Sequence, residues 1–207
     1  VLFINLQIVM PTAFFYHNDC LEHETGEDHP ETPKRLEVIL ELLKLNEFKP
    51  LVLVEAQMAD LSLLNLVHSK EYISKLYDHS PFTDLINLDA DTVLSSGTLV
   101  AARRAVGAVC DAVDYVLDSS YRNAFCAVRP PGHHARYNMG MGFCIFNNIA
   151  VGAKYAQVFK KVDRVAVIDF DVHHGNGTEE LFSGDDNLFY ASSRQFPAYP
   201  GTGGENN

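Results

Sequence analysis

The sequence predicts an α/β domain built on a largely parallel sheet, and three observations carry that expectation. Short apolar runs rich in Val, Ile, Phe and Ala alternate with longer stretches of helical period. No repeat, low-complexity tract or linker interrupts the 207 residues, which suffice for one sizeable domain. The polar clusters "RPPGHHAR" (129–136) and "DFDVHHGNG" (169–177) each follow a strand-like run, the position where open α/β sheets place their chemistry.

In chain order, "TAFFYH" (12–17) reads as the first strand and "CLEHETGEDHPETPKR" (20–35) as a polar loop. Residues 33–45 read as a helix, with Pro33 in its first turn and Leu36, Ile39, Leu40 and Leu43 on one face. A strand at 50–56 and a helix at 69–80 follow. From Ser95 to about Leu117 the Ala and Val spacing predicts a long helix packed on the sheet. "NAFCAV" (123–128) is a strand ended by Arg129 and two prolines. Residues 146–159 form a helix, and "RVAVIDF" (164–170) and "NLFYASS" (187–193) the last two strands.

Composition narrows the function. A hydrophobic fraction of 47% and a charged fraction of 21% are ordinary for a globular protein. The formal charge of −11 and the lack of a basic stripe argue against nucleic-acid binding. Cys20, Cys110, Cys126 and Cys144 show no CxxC spacing, which predicts free thiols in a reducing compartment and no thiolate zinc site. The expected location is cytoplasmic, or nuclear in a eukaryote. No apolar run reaches the ~18 residues of a membrane span. The apolar residues 1–9 lack the basic flank and cleavage site of a leader, and Met10 is a candidate internal start. Residues 1–13 therefore read as an extension before a single domain over 14–207.

The clusters suggest a metal and proton transfer. Alternate residues of a strand share a face, so Val165, Val167, Asp169, Asp171 and His173 line one side. Asp171 and His173 could offer an oxygen and a nitrogen to one ion, a donor set suited to Zn²⁺, with Fe²⁺, Co²⁺ and Mn²⁺ as alternatives. In "RPPGHHAR", two prolines and Gly132 stiffen and turn the loop that carries His133 and His134. Asp169 and Asn176 are candidate partners for these rings, one charged and one neutral. An activated water with two histidines of different basicity is equipment for hydrolysing an amide. No GxGxxG, phosphate loop or GxSxG competes, and "PGTGG" (200–204) is too short for a nucleotide site. The His and Glu residues of 22–31 read as loop polarity rather than as a second metal site.

"RPPGHHA", "MGFCIFNNIAVGA", "VAVIDFDVHHGNGTEELF" and "FPAYPGTG" together resemble the zinc-dependent histone deacetylase superfamily. That superfamily includes bacterial histone-deacetylase-like amidohydrolases, acetylpolyamine amidohydrolases and acetoin-utilisation-type proteins. "HPETPKR" and "VHSKEYI" extend the likeness over roughly 14–204, and Asn176 resembles the class II and bacterial branch. The resemblance implies an arginase/deacetylase-like three-layer fold, a Zn²⁺ cofactor on Asp171 and His173, and an acid–base pair in His133 and His134 backed by Asp169 and Asn176. It also implies substrate contacts at Gly142, Phe143 and Tyr199, and a structural K⁺ near Asp169, Asp171, His173 and Ser192. The implied substrate is acetyl-lysine in proteins or an acetylated polyamine, with self-association left open. The binuclear arginase branch wants a carboxylate where this chain has Gly175, so one metal is expected. The family's third zinc ligand and its carbonyl-polarising residue are expected beyond Asn207. The chain thus reads as the N-terminal part of a catalytic domain, and a fragment that only binds is the alternative.

Overall fold

A computed structural model describes residues 11–119 and 121–204. The expectation for residues 1–9 and Met10 lies outside them. The elements are β1 (Ala13–Tyr16), α1 (Lys34–Leu42), β2 (Val52–Glu55), α2 (Leu61–Leu64), α3 (Lys70–His79), β3 (Ile86–Asn87) and β4 (Val93–Leu94). They continue as α4 (Thr98–Asp118), β5 (Ala124–Cys126), α5 (Asn148–Lys160), β6 (Val165–Asp169), α6 (Asn176–Phe182) and β7 (Leu188–Ser192).

Strand β1 sets the layering. It pairs in parallel with β2 on one side and β5 on the other. Its side chains alternate, so Ala13 and Phe15 pack towards Ala108 and Tyr115 of α4, whereas Phe14 packs towards Leu36 of α1. Helix, sheet and helix are stacked in that order. Strands β6 and β7 form a second parallel pair, and β3 and β4 a short antiparallel ladder.

The α/β class holds, but the parallel sheet is in two pieces among the described residues. Strands β5 and β6 do not pair. Between them lies an apolar groove of about 510 Å³ floored by residues of α4 and α5, including Val113, Val116 and Ile149. Ile168 of β6 and Phe189 of β7 are exposed on one face of the second pair.

Helix α4 holds the halves together because its buried face is small. Ala101, Ala102, Ala105 and Ala108 are fully buried, and a Cβ on Gly107 would meet the Gln57 carbonyl at 1.8 Å. Helix α5 crosses α4 where Gly152 admits Val109, since a Cβ there would meet Val109 Cγ1 at 2.4 Å. Asn147 caps α5 by accepting from the Ala150 amide, and Ser69 caps α3 by accepting from the Tyr72 amide.

Several expectations need correction. Pro33 is the N-cap of α1, and of its predicted face Leu36 is the fully buried member; Ile39 is exposed. Helices α2 and α6 and the β3–β4 ladder were not predicted, being shorter than the windows in which periodicity is legible. The loop 20–35 is not merely polar surface. His23, Thr25 and Glu31 are buried, because Arg129 reaches into the loop from the end of β5.

Candidate active site

Arg129 is the anchor of the first cluster. Its guanidinium donates to both Glu31 carboxylate oxygens at 2.7 and 2.6 Å and to the carbonyls of Cys20 and His23. A buried bidentate pair with its remaining donors satisfied is a rigid fixture. His23 lies 3.4 Å from Glu31, yet burial, with the nearby Arg129 and His29 charges, depresses its pKa to about 3. This fixture holds the loop that begins at Pro130. Gly132 turns that loop where a Cβ would meet the Asn148 amide at 2.6 Å.

The two histidines that follow have different partners. His133 Nδ1 lies 2.9 Å from Asp169 Oδ2, and His134 Nδ1 lies 2.8 Å from Asn176 Oδ1. Their rings are 4.0 Å apart. Burial depresses the His134 pKa to about 4, reinforced by the neighbouring His133 and opposed by the Asn176 hydrogen bond. Burial works against ionisation of Asp169, but the His133 contact, the Asp171 amide and the Tyr190 hydroxyl outweigh it and hold that carboxyl below its ordinary range. Because Asn176 Oδ1 can only accept, His134 Nδ1 carries the proton and Nε2 keeps a lone pair.

Two glycines let the second cluster close on the first. At Gly175 a Cβ would lie 2.4 Å from Asp169 Oδ2 and 3.0 Å from His133 Nδ1. At Gly177 it would lie 2.3 Å from the Ala135 carbonyl. A carboxylate-bearing side chain at 175, as the binuclear alternative wants, would collide with the Asp169–His133 pair.

Asp171 and His173 do meet, though not by strand alternation. Strand β6 ends at Asp169, and the chain then turns, with the Asp171 amide donating to Asp169 Oδ1 and the His173 amide donating to Asp171 Oδ1. Consecutive Asp turns, rather than a pleat, bring Asp171 Oδ1 and His173 Nδ1 to 3.2 Å. That spacing fits two corners of a tetrahedral zinc site, whose ligands at about 2.0–2.2 Å stand a little over 3 Å apart. Among the described residues no group of three or more His, Cys, Asp or Glu could hold a metal.

The pair opens into a cavity of about 370 Å³ lined by His133, His134, Gly142, Phe143, Asp171, His173 and Tyr199, with Arg35 and Asp91. Tyr199 stands edge-on to His134 at 5.0 Å and to His173 at 6.0 Å. Phe143 has φ of 70°, a costly conformation for a bulky residue. It is held there by its amide donating to Thr92 Oγ1 and by His29 packed edge-on at 4.9 Å. Gly142, with φ of 56°, has no room for a side chain because His134 Cδ2 lies 2.5 Å from where its Cβ would be. Ser192 is opposite Asp169 in the β6–β7 ladder, and its Oγ is buried without a hydrogen-bond partner among the described residues.

The sequence reading missed Arg129 with Glu31, and also Tyr190, whose hydroxyl donates to Asp169 Oδ2 and accepts from the Gly175 amide. Tyr190 was legible in principle, since it shares a strand face with Ser192 at period two. The Arg129–Glu31 pair spans 98 residues and had no local signal.

The layered α/β fold gathers paired histidines and an Asp–His donor pair at the exits of its strands, the place where open α/β folds carry their chemistry. The chain belongs to the histone deacetylase family: the histone deacetylase domain model matches residues 29–207. An uncharacterized protein of Synechocystis is 44% identical over 198 residues, covering 92% of this chain and 64% of its own length. A probable deacetylase of Archaeoglobus fulgidus is 38% identical, covering 94% and 54%. The type-2 histone deacetylase 2 of Dictyostelium discoideum is 38% identical, covering 97% and 14%. The crystal structure of the HDA15 HD domain superposes with a TM-score of 0.87 at 34% identity, over 93% of this chain and 58% of that one. The chain thus spans less than two thirds of the length of these relatives.

Proposed function

We propose that this chain supplies the proton-transfer residues and two metal ligands of a zinc-dependent amidohydrolase that removes acetyl groups from lysine side chains. The observation that carries the reading is the pairing of two adjacent histidines with an anionic and a neutral partner.

Asp171 and His173 are the residues that would hold zinc, and a bound zinc ion would lower the pKa of a water and polarise the substrate carbonyl. His134 is neutral at pH 7, and its Nε2 lone pair is the base that accepts the water's proton. With only neutral Asn176 behind it, the resulting imidazolium is poised to return that proton to the leaving amine. His133 faces Asp169, so positive charge on its ring is met by a carboxylate beside the reacting centre. Phe143 and Tyr199 would wall an aliphatic stem, and Gly142 would offer its carbonyl to the substrate amide. K⁺ would be held by Asp169, Asp171, His173 and Ser192, a reading supported by the orphaned Ser192 Oγ.

The test is a zinc titration of the chain with an acetyl-lysine peptide and, in parallel, N-acetylputrescine. Zinc-restored peptide turnover that falls about 10²–10⁴-fold in His134→Ala supports the proposal. Faster turnover of the acetylpolyamine replaces the substrate class. Zinc binding without turnover of either substrate supports the binding-only reading.

A further inference from the structure

The second histidine of "HHGNG", His174, is neither a proton carrier nor a metal ligand in the reading above, yet it is 1% exposed. A buried imidazole needs a reason, since its polar atoms must be satisfied. Its Nδ1 lies 2.9 Å from Thr202 Oγ1, and its Nε2 lies 3.3 Å from Glu179 Oε2. Nε2 makes no hydrogen bond among the described residues, so the Thr202 bond is the one that holds the ring, and the Thr202 hydroxyl can serve either tautomer of Nδ1.

Thr202 belongs to the segment 193–204, which leaves β7, arches over the ligand loop and carries Tyr199. Its near end is stitched to that loop by the Ser193 amide donating to the Asp169 carbonyl and the Gln195 amide donating to the Val172 carbonyl. Arg194 donates to the Gly203 carbonyl, drawing the arch closed on itself. Among the described residues, the hydrogen bond joining the far half of the arch to the ligand loop is His174–Thr202.

We propose that His174 is a positioning residue: by bonding Thr202 it latches the arch and holds Tyr199 against His134 and His173. The adjacent histidines then divide the labour, one aimed into the cavity and one aimed back into the protein to place the cavity's aromatic wall. The functional consequence rests on the reading of Tyr199 as a substrate wall, but the latch itself does not.

The chain has no tryptophan, so Tyr199→Trp installs a single reporter at the arch. In that background, Thr202→Val is expected to speed tryptic cleavage after Arg194 about five-fold, the factor that one hydrogen bond is worth when cleavage follows opening. Acrylamide quenching of the reporter should rise with it. His174→Phe should behave like Thr202→Val, whereas His174→Asn, whose amide can replace Nδ1, should stay near the parent. Unchanged cleavage and quenching in Thr202→Val would overturn the proposal. So would faster cleavage at every tryptic site alike, or an Asn variant as open as the Phe variant. Neither readout needs metal or turnover, so failure of the deacylase reading and failure of the latch are distinguishable.

Discussion

The loops 129–136 and 169–177 both leave parallel strands and meet at Gly175 and Gly177, but they are held in opposite ways. The first is built by burial: Arg129 and His134 are each 3% exposed, and the Arg129–Glu31 pair ties the loop to a segment near the N-terminus. The second is built by its own backbone. The side chains of Asp171 and His173 are 48% and 42% exposed, and their approach is set by successive amide-to-carboxylate turns. Groups that must have their proton affinity altered need desolvation and long-range partners. Asp171 and His173, the donors proposed to hold an ion, converge and stay accessible.

That contrast predicts which changes cost stability and which cost function. The largest stability effect is expected from Arg129→Met, which strips the buried Glu31 carboxylate of its guanidinium partner and should cost about 3–5 kcal/mol in urea unfolding. Adding Glu31→Met should recover part of that loss. A simple sum of the two single costs would show that the two residues act separately.

Acid should weaken the buried side next. His68 bridges the Arg136 carbonyl and the Asn147 amide, and burial lowers its pKa from 6.5 to about 4. Between those values the unfolded chain binds more protons than the folded one. Stability is therefore complete above about pH 6.5 and falls as the pH drops towards 4, by about 3 kcal/mol for this one group. His23 extends the loss towards pH 3. Urea midpoints at pH 7.5 and pH 5 should differ, and the difference should shrink in His68→Gln.

A smaller cost should attend the junction between the loops. Gly177→Ala places a methyl group 2.3 Å from the Ala135 carbonyl, so the loops must separate, at about 1–3 kcal/mol by thermal or urea unfolding. Equal stability would mean that the contact at the junction is slack. The smallest stability effect belongs to the exposed donors. His173→Ala should shift unfolding by no more than about 0.5 kcal/mol and Asp171→Ala, which also removes the acceptor of the His173 amide, by about 1 kcal/mol, while each lowers zinc binding measured by calorimetry. A large loss of stability there would erase the contrast between the two loops.

Much of the fold was legible in the sequence because its signals are local. The apolar runs at β1, β2, β5, β6 and β7 and the Ala-rich period of α4 are all set within a few residues. The site was legible as a set of residue types at strand ends: Asp169, Asn176, His133 and His134 converge, and Asp171 and His173 meet. The manner of meeting was not. Alternation along β6 implied a straight strand edge, whereas competition from Asp side chains for the backbone amides stops the strand at Asp169. The loop 20–35 looked like surface because nothing within it reveals that an arginine nearly a hundred residues later fills its centre.

By itself the sequence determined the α/β class, the strand exits at which the polar clusters gather and the family to which the chain belongs. Each is a property of short stretches whose period or composition needs no distant partner. Only the tertiary structure decided which histidine faces the anion and which the neutral amide, and that His23 and His68 are buried bases. Those facts depend on contacts between residues far apart in the chain, where burial, not spacing, sets charge and position.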